Sequence, residues 1–175
     1  MTTAMNRLRL EGLLAFDDGA EHVMMQIACE ASEVGSARYF AREQLARWGF
    51  SEESFSDRVV LTVSELVTNA VLHARTRMPG ESELIELKLV FHVGQALVVL
   101  VTDNSRKMPP VGVPPSAEAT TGRGLLLVNA LADSWTVVPE HGLGARRGKV
   151  VCAFFRCHMS ADLPAPIGVM GMCDS

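Results

Sequence analysis

Residues 84–103 read LIELKLVFHVGQALVVLVTD. Two runs, Leu84–Val93 and Ala96–Asp103, are rich in Val and Leu and predict strands, with His92-Val93-Gly94-Gln95 as the hairpin turn between them. A connection this short cannot carry a parallel crossover, which takes a dozen or more residues. The pair is therefore antiparallel, and a doubly wound parallel sheet is excluded.

Upstream of the hairpin, His22–Cys29 reads as a first strand. Ser32–Trp48 reads as an amphipathic helix ending at Gly49, a residue suited to the position after a helix. Glu53 or Ser54 to about Arg75 reads as a longer helix closed by Pro79-Gly80. Downstream, a loop with Pro109, Pro110, Pro114 and Pro115 leads into a helix over Gly122–Ala132, and Ser134–Pro139 and Gly148–Arg156 finish as strands. The expected architecture is an α/β (α+β) two-layer sandwich, with a mixed, mostly antiparallel sheet and helices on one face. Residues 1–20, with Asp17-Asp18-Gly19, read as a flexible N-terminal arm, 21–157 as the domain, and 158–175, with Pro164, Pro166, Gly168 and Gly171, as a flexible C-terminal tail.

The 175-residue chain fits one domain, long enough to bury roughly 70% of its unfolded surface without a disulfide or metal staple. Hydrophobic residues at 48% and charged residues at 21% exclude wholesale disorder. Sixteen Lys and Arg against 20 Asp and Glu leave a net charge of −4, which argues against a dedicated nucleic-acid binder. Apolar runs such as Ala96–Val101 are far too short to span a bilayer, and Met1–Phe16 lacks the continuous apolar stretch of a signal peptide. A cytoplasmic protein with no direct nucleic-acid or membrane partner is expected. Cys29, Cys152, Cys157 and Cys173 show no C-x-x-C spacing, so buried or incidental free thiols are expected rather than a zinc site.

The second helix carries the first chemical signal. Val59, Val63, Leu66, Val67, Ala70, Val71 and Ala74 form an apolar arc that should face the sheet. Arg58, Thr62, Glu65, Asn69 and His73 cluster on another side, and Glu65, Asn69 and His73, at i, i+4 and i+8, stack along one ridge. A solvated face is the plainer reading of such a cluster. Thr62, Ser64, Thr68, Asn69 and His73 are nevertheless mediocre helix formers, each costing roughly 0.3–0.7 kcal/mol against Ala, so selection for something besides helix stability is implied.

Two further elements follow. Asp103 sits where its strand ends; an ionised carboxylate accepts hydrogen bonds only, which suits a ligand presenting an N–H donor, although, taken alone, an Asp opening a turn with Asn104-Ser105 is the plainer reading. Thr120-Thr121-Gly122-Arg123-Gly124-Leu125 then opens an apolar helix, where glycines let backbone N–H groups close on a phosphate. It is no dinucleotide fingerprint, because Leu127 stands where a third glycine or alanine is needed.

Glu65-Leu66-Val67-Thr68-Asn69-Ala70, Asp103 at a strand end, and Gly122-Arg123-Gly124-Leu125, in this order, resemble the ATP-binding domain of the GHKL superfamily, and most of all the anti-sigma-factor serine/threonine kinases, small ATP-binding regulators abundant in actinomycetes. The resemblance runs from about His22 to Arg156 and takes in Gly124–Val128, Leu131-Ala132-Asp133 and Gly148-Lys149-Val150-Val151. It implies a Bergerat-type ATP-binding fold with ATP and Mg²⁺ as cofactors. By the same resemblance Asn69 holds Mg²⁺, Glu65 orients or deprotonates the attacking hydroxyl, and Asp103 accepts from the adenine amino group. Gly122, Arg123, Gly124 and Leu125 offer amides to the phosphates, residues 104–121 form the lid, and His73 has no fixed place. The implied partners are a sigma factor and a STAS-domain anti-anti-sigma protein; family members commonly dimerise, which adds a second copy of the chain. One departure stands out. The family's D-x-G-x-G box reads Asp103-Asn104-Ser105-Arg106-Lys107 here, without either glycine. A regulatory module that acts by sequestration without catalysis is the alternative this departure keeps open.

Overall fold

The structure is a computed structural model that describes residues 20–73, 84–105, 123–142 and 145–157. Its elements are β1 (Ala20–Ala28), α1 (Glu33–Arg47), α2 (Glu53–His73), β2 (Leu84–His92), β3 (Ala96–Asp103), α3 (Arg123–Leu131), β4 (Ser134–Gly142) and β5 (Ala145–Arg156). The hairpin expected from residues 84–103 is present. Gly94 takes φ 69° in its turn, the Gln95 N–H donates to the His92 carbonyl at 3.0 Å, and Leu89 faces Val99 across the ladder. Gly49, at φ 79°, ends α1 in the left-handed conformation that glycine adopts freely. β1 begins at Ala20, two residues before the expected start, and β4 and β5 run to Gly142 and from Ala145, longer than Ser134–Pro139 and Gly148–Arg156.

The strands order as β1-β2-β3-β5-β4. Every pairing among the described residues is antiparallel, so the mixed, mostly antiparallel sheet expected has no parallel pair among them. Alternation along the strands divides the side chains between two faces. Ile85, Leu87, Leu89 and Phe91 of β2, Leu97, Val99 and Val101 of β3, and Val151, Ala153 and Phe155 of β5 join the helices in one large core. The opposite face carries a second buried cluster of Val90, Val98, Leu100 and Cys152. Burial on both faces explains why Leu97–Val101 is a continuous apolar run rather than an alternating one.

Two observations fix how α2 lies on the sheet. Near its N-terminus, Phe55 meets Phe155 edge-on at 6.1 Å, and Phe155 pairs with Leu97 at the start of β3. Near its C-terminus, the Val71 carbonyl lies 3.6 Å from Cys29 Sγ, just past the end of β1 that pairs with Leu84. From Phe55 to Asn69 the helix rises about 21 Å, and from Leu97 to Asp103 the strand advances about 20 Å. The C-terminal half of α2 therefore arrives over the Asp103 end of the sheet. The other end is closed by aromatic rings: Phe50 stacks on Phe55 at 4.9 Å, and Trp48, 5.4 Å from Phe91, also donates through Nε1 to Glu21 at 2.7 Å.

Burial on α2 is wider than the arc read from the sequence. Val59, Val63, Leu66, Val67 and Ala70 are buried as expected, but so are Val60, Thr62 and Ser64; Ala74 lies outside the described residues. Thr62, placed on the polar side by periodicity, is 0% exposed. The reason is tertiary: α2 packs on α3 as well as on the sheet.

Cys152, 0% exposed between Leu100 and Thr136, has its thiol pushed up by burial to about 12 from an ordinary 9.0. The native thiol keeps its proton while the unfolded one ionises, so this contribution is full below pH 9.0 and is lost as pH rises toward 12. Urea midpoints should hold up to pH 9.0 and then fall. A Cys152→Ala variant, weaker overall, should show an alkaline slope shallower by about 1.4 kcal/mol per pH unit; equal slopes would refute the assignment.

Candidate functional site

The polar ridge of α2 is an interhelical surface. At its N-terminal end, Arg58 donates through Nε to the Leu131 carbonyl at 2.8 Å, stands 5.8 Å above the Phe155 ring and approaches Asp133 at 3.9 Å. This places the positive guanidinium against the carbonyl end of α3, where a cation is favoured. Two turns further along α2, Glu65 and Asn69 meet the other end of α3 at Gly124. A Cβ built on Gly124 would lie 2.7 Å from Glu65 Oε2, 3.1 Å from Asn69 Nδ2 and 3.4 Å from Asn69 Oδ1. With glycine at this position, α3 begins this close to the ridge without displacing either side chain. The helices thus run antiparallel, and the first turn of α3 opens beside a carboxylate and a carboxamide.

This arrangement has unfilled valences. Asn69 Nδ2 and Thr62 Oγ1 are buried with no hydrogen-bond partner, and Glu65, half-buried, makes no hydrogen bond among the described residues. A buried amide N–H without a partner costs about 1–3 kcal/mol. The first four N–H groups of a helix have no partner within it. Donors from a helix N-terminus, a carboxamide and a free carboxylate can together receive a phosphate, a cation and a proton.

Asp103 occupies the end of β3 opposite Lys149 of β5. Both lie on the helix-facing side of the sheet, in register with Val101 and Val151. Lys149 Nζ donates to Asp103 Oδ1 at 2.7 Å, with side-chain exposures of 6% and 2%, and the Ser105 N–H donates to the same oxygen at 2.7 Å. Gly148 makes room for this turn. A Cβ there would strike the Asp103 carbonyl and come within 2.9 Å of Asn104 Cα, both backbone and unable to step aside.

The residues singled out in the sequence therefore separate into two groups at one end of the molecule. Glu65, Asn69 and Gly124 converge, and Leu125 packs against the core behind them. Asp103 closes the neighbouring strand end in a buried ion pair. His73 is exposed at the end of α2. Gly122, the lid residues 106–121 and the Arg123 side chain lie outside the described residues. Lys149 and Arg58 were missed as site residues. The signal for Lys149 was a charged residue in phase with Val151, Ala153 and Phe155. Arg58 stood on the polar ridge, but nothing in the sequence named Leu131 as its partner. An open cleft of about 560 Å³ between α1 and β1, lined by Met25, Tyr39, Phe40 and Arg47 among others, contains none of these groups. Among the described residues no helix is long and apolar enough to cross a membrane, and no cluster of three or more His, Cys, Asp or Glu is placed to hold a metal.

Compared with known proteins, the chain matches the model of the histidine kinase-like ATPase domain over residues 27–153. No curated protein matches it.

Gly124→Ala tests the cradle. The added methyl meets only the ends of two side chains, which can swing aside, and alanine favours the helix by roughly 0.5–1 kcal/mol. The variant should fold with an unchanged or slightly raised Tm yet lose ATP binding at least tenfold by calorimetry. Unchanged affinity would show that nothing binds against this turn.

Proposed function

The chain belongs to the histidine kinase-like ATPase domain family, an ATP-binding and kinase-like class, and from that premise we propose that it is an ATP-dependent protein serine/threonine kinase of the anti-sigma-factor type. It phosphorylates a Ser or Thr on a STAS-domain antagonist, and release of the phosphorylated antagonist frees it to sequester a sigma factor. The observation that carries the reading is the start of α3 against Glu65 and Asn69, made possible by Gly124.

The residues present fit Mg²⁺ and a nucleotide triphosphate. With no Cβ at Gly124, the first turn of α3 stands directly against the Glu65 carboxylate and the Asn69 carboxamide, whose Nδ2 is buried without a partner. Rotating that carboxamide by 180° presents Oδ1, a hard oxygen suited to Mg²⁺; among the described residues no cluster of three or more His, Cys, Asp or Glu is placed to hold a metal, so phosphate and water oxygens would complete its shell. The amides of Arg123, Gly124 and Leu125, with Gly122 before them, would hold phosphate oxygens at the positive end of α3. Asp103 would accept from the exocyclic amino group of adenine through Oδ2, since Oδ1 is taken. Bound Mg²⁺ and ATP supply the terminal phosphoryl group and neutralise its charge. The protein's share is to position the target hydroxyl and take its proton at the Glu65 carboxylate.

A second reading has its own support. Ser105 stands where the family has a glycine and is buried, and its Cβ narrows the backbone freedom of the first turn after β3. A chain whose lid begins with less freedom could hold nucleotide and regulate by sequestration alone. Transfer of labelled phosphate from ATP to a STAS-domain partner separates the two. In the kinase, Glu65→Gln should lower transfer by about 10²–10⁴-fold while ATP binding and partner binding persist. Transfer by Glu65→Gln at the wild-type rate would remove Glu65 as the base, and a wild type that captures sigma with no transfer at all would establish the sequestering module.

A further inference from the structure

Lys149 is a charged side chain in a strand whose next helix-facing residues are Val151, Ala153 and Phe155. Its pairing with Asp103 is buried on both sides. Such a pair is a poor stabiliser, because desolvating two charges offsets their attraction and apolar residues of similar volume do as well or better. The hydrogen bonds are also lopsided. Both that reach the carboxylate end on Oδ1, leaving Oδ2 without one among the described residues. Lys149 spends one of three N–H donors on Asp103, and the other two have no partner there. Among the described residues the pair therefore presents an unused acceptor beside an unused donor, fixed relative to each other by the 2.7 Å bond between their side chains.

We propose that Lys149 is a specificity-determining residue of the nucleotide site, donating from Nζ to ring nitrogen N1 of adenine while Asp103 Oδ2 accepts from the neighbouring exocyclic amino group. This rests on the reading of the site as an ATP site. Adenine offers an acceptor at N1 and a donor at the adjacent amino group, the complement of Nζ–H and Oδ2. Guanine offers the reverse, an N1–H donor and an O6 acceptor, and would set donor against donor and oxygen against oxygen in a buried place. The Asp103 side chain alone distinguishes the amino group; Lys149 adds a second reading at N1 and holds the carboxylate in place while doing so.

The test uses the full chain with ATP and 1-deaza-ATP, in which N1 is replaced by C–H and the amino group is kept. Calorimetry on the wild type should give affinity for 1-deaza-ATP about tenfold to a hundredfold below that for ATP, the size expected for a hydrogen bond to a charged donor. Lys149→Met keeps the stem and removes the donors, so it should bind the two nucleotides equally, both more weakly than the wild type binds ATP. Equal binding of the two by the wild type overturns the N1 contact and leaves the ATP site standing. A wild type that binds neither overturns the ATP site and the contact together. Lys149→Met also leaves Asp103 without its partner and lowers stability, so the wild-type comparison, which needs no variant, decides the proposal if that chain does not fold.

Discussion

The close approach of α3 to α2 at Gly124 organises the molecule around it. Glu65 Oε2 and the Asn69 carboxamide occupy the space where any other residue at 124 would carry its Cβ. Seven residues later, Arg58 holds the far end of the same short helix through the Leu131 carbonyl. A nine-residue helix is marginal by itself. Held at both ends, it aims its free amides at one ridge. The ridge is polar because it faces a helix terminus and not water. Thr62, between Arg58 and Glu65, is sealed from solvent for the same reason.

The second constraint is the match in length between α2 and β3. The aromatic contacts of Phe55 and Phe155 register the helix at the start of β3 and the end of β5. About 20 Å later the strand and the helix finish together. Asp103, Lys149, Glu65 and Asn69 are thereby brought to one end while the apolar core occupies the rest. Packing at a distance sets the geometry of the polar groups, and those groups contribute little to packing. A buried Asp–Lys pair and an unpartnered Asn69 Nδ2 both weigh against stability, and the large core and the second cluster across the sheet offset them. Such local losses belong where a ligand can complete the missing bonds.

Much of the fold was legible in the sequence. Residues 84–103 set an antiparallel hairpin because the turn was too short for anything else, and Gly49 and Gly94 marked chain reversals that the backbone makes at positive φ. Periodicity found the side of α2 that faces the sheet, since a single buried face repeats every 3.6 residues. Glu65 and Asn69 showed as a ridge for the same geometric reason. Local pattern could not tell that the sheet is antiparallel at every described pairing, that β4 and β5 extend past Pro139 and Gly148, or that Leu97–Val101 is apolar throughout because both faces are covered. The β4–β5 extension is settled by pairing across a short connection, from Pro139 with Lys149 to Gly142 with Ala145, whereas the other two points depend on partners tens of residues away.

By itself, then, the sequence determined the order of elements, the hairpin and the chemical types at 65, 69, 103 and 124. These follow from interactions within a few residues or from fixed helical and strand periods. Only the tertiary structure decided that Gly124 faces Glu65 and Asn69, that Arg58 reaches Leu131, that Thr62 is buried, and that Asp103 is paired with Lys149. Each of those facts joins residues 46 to 73 positions apart in the chain or depends on a helix packed from outside. No local propensity encodes such a distance; it is set by how the two layers close on their shared core.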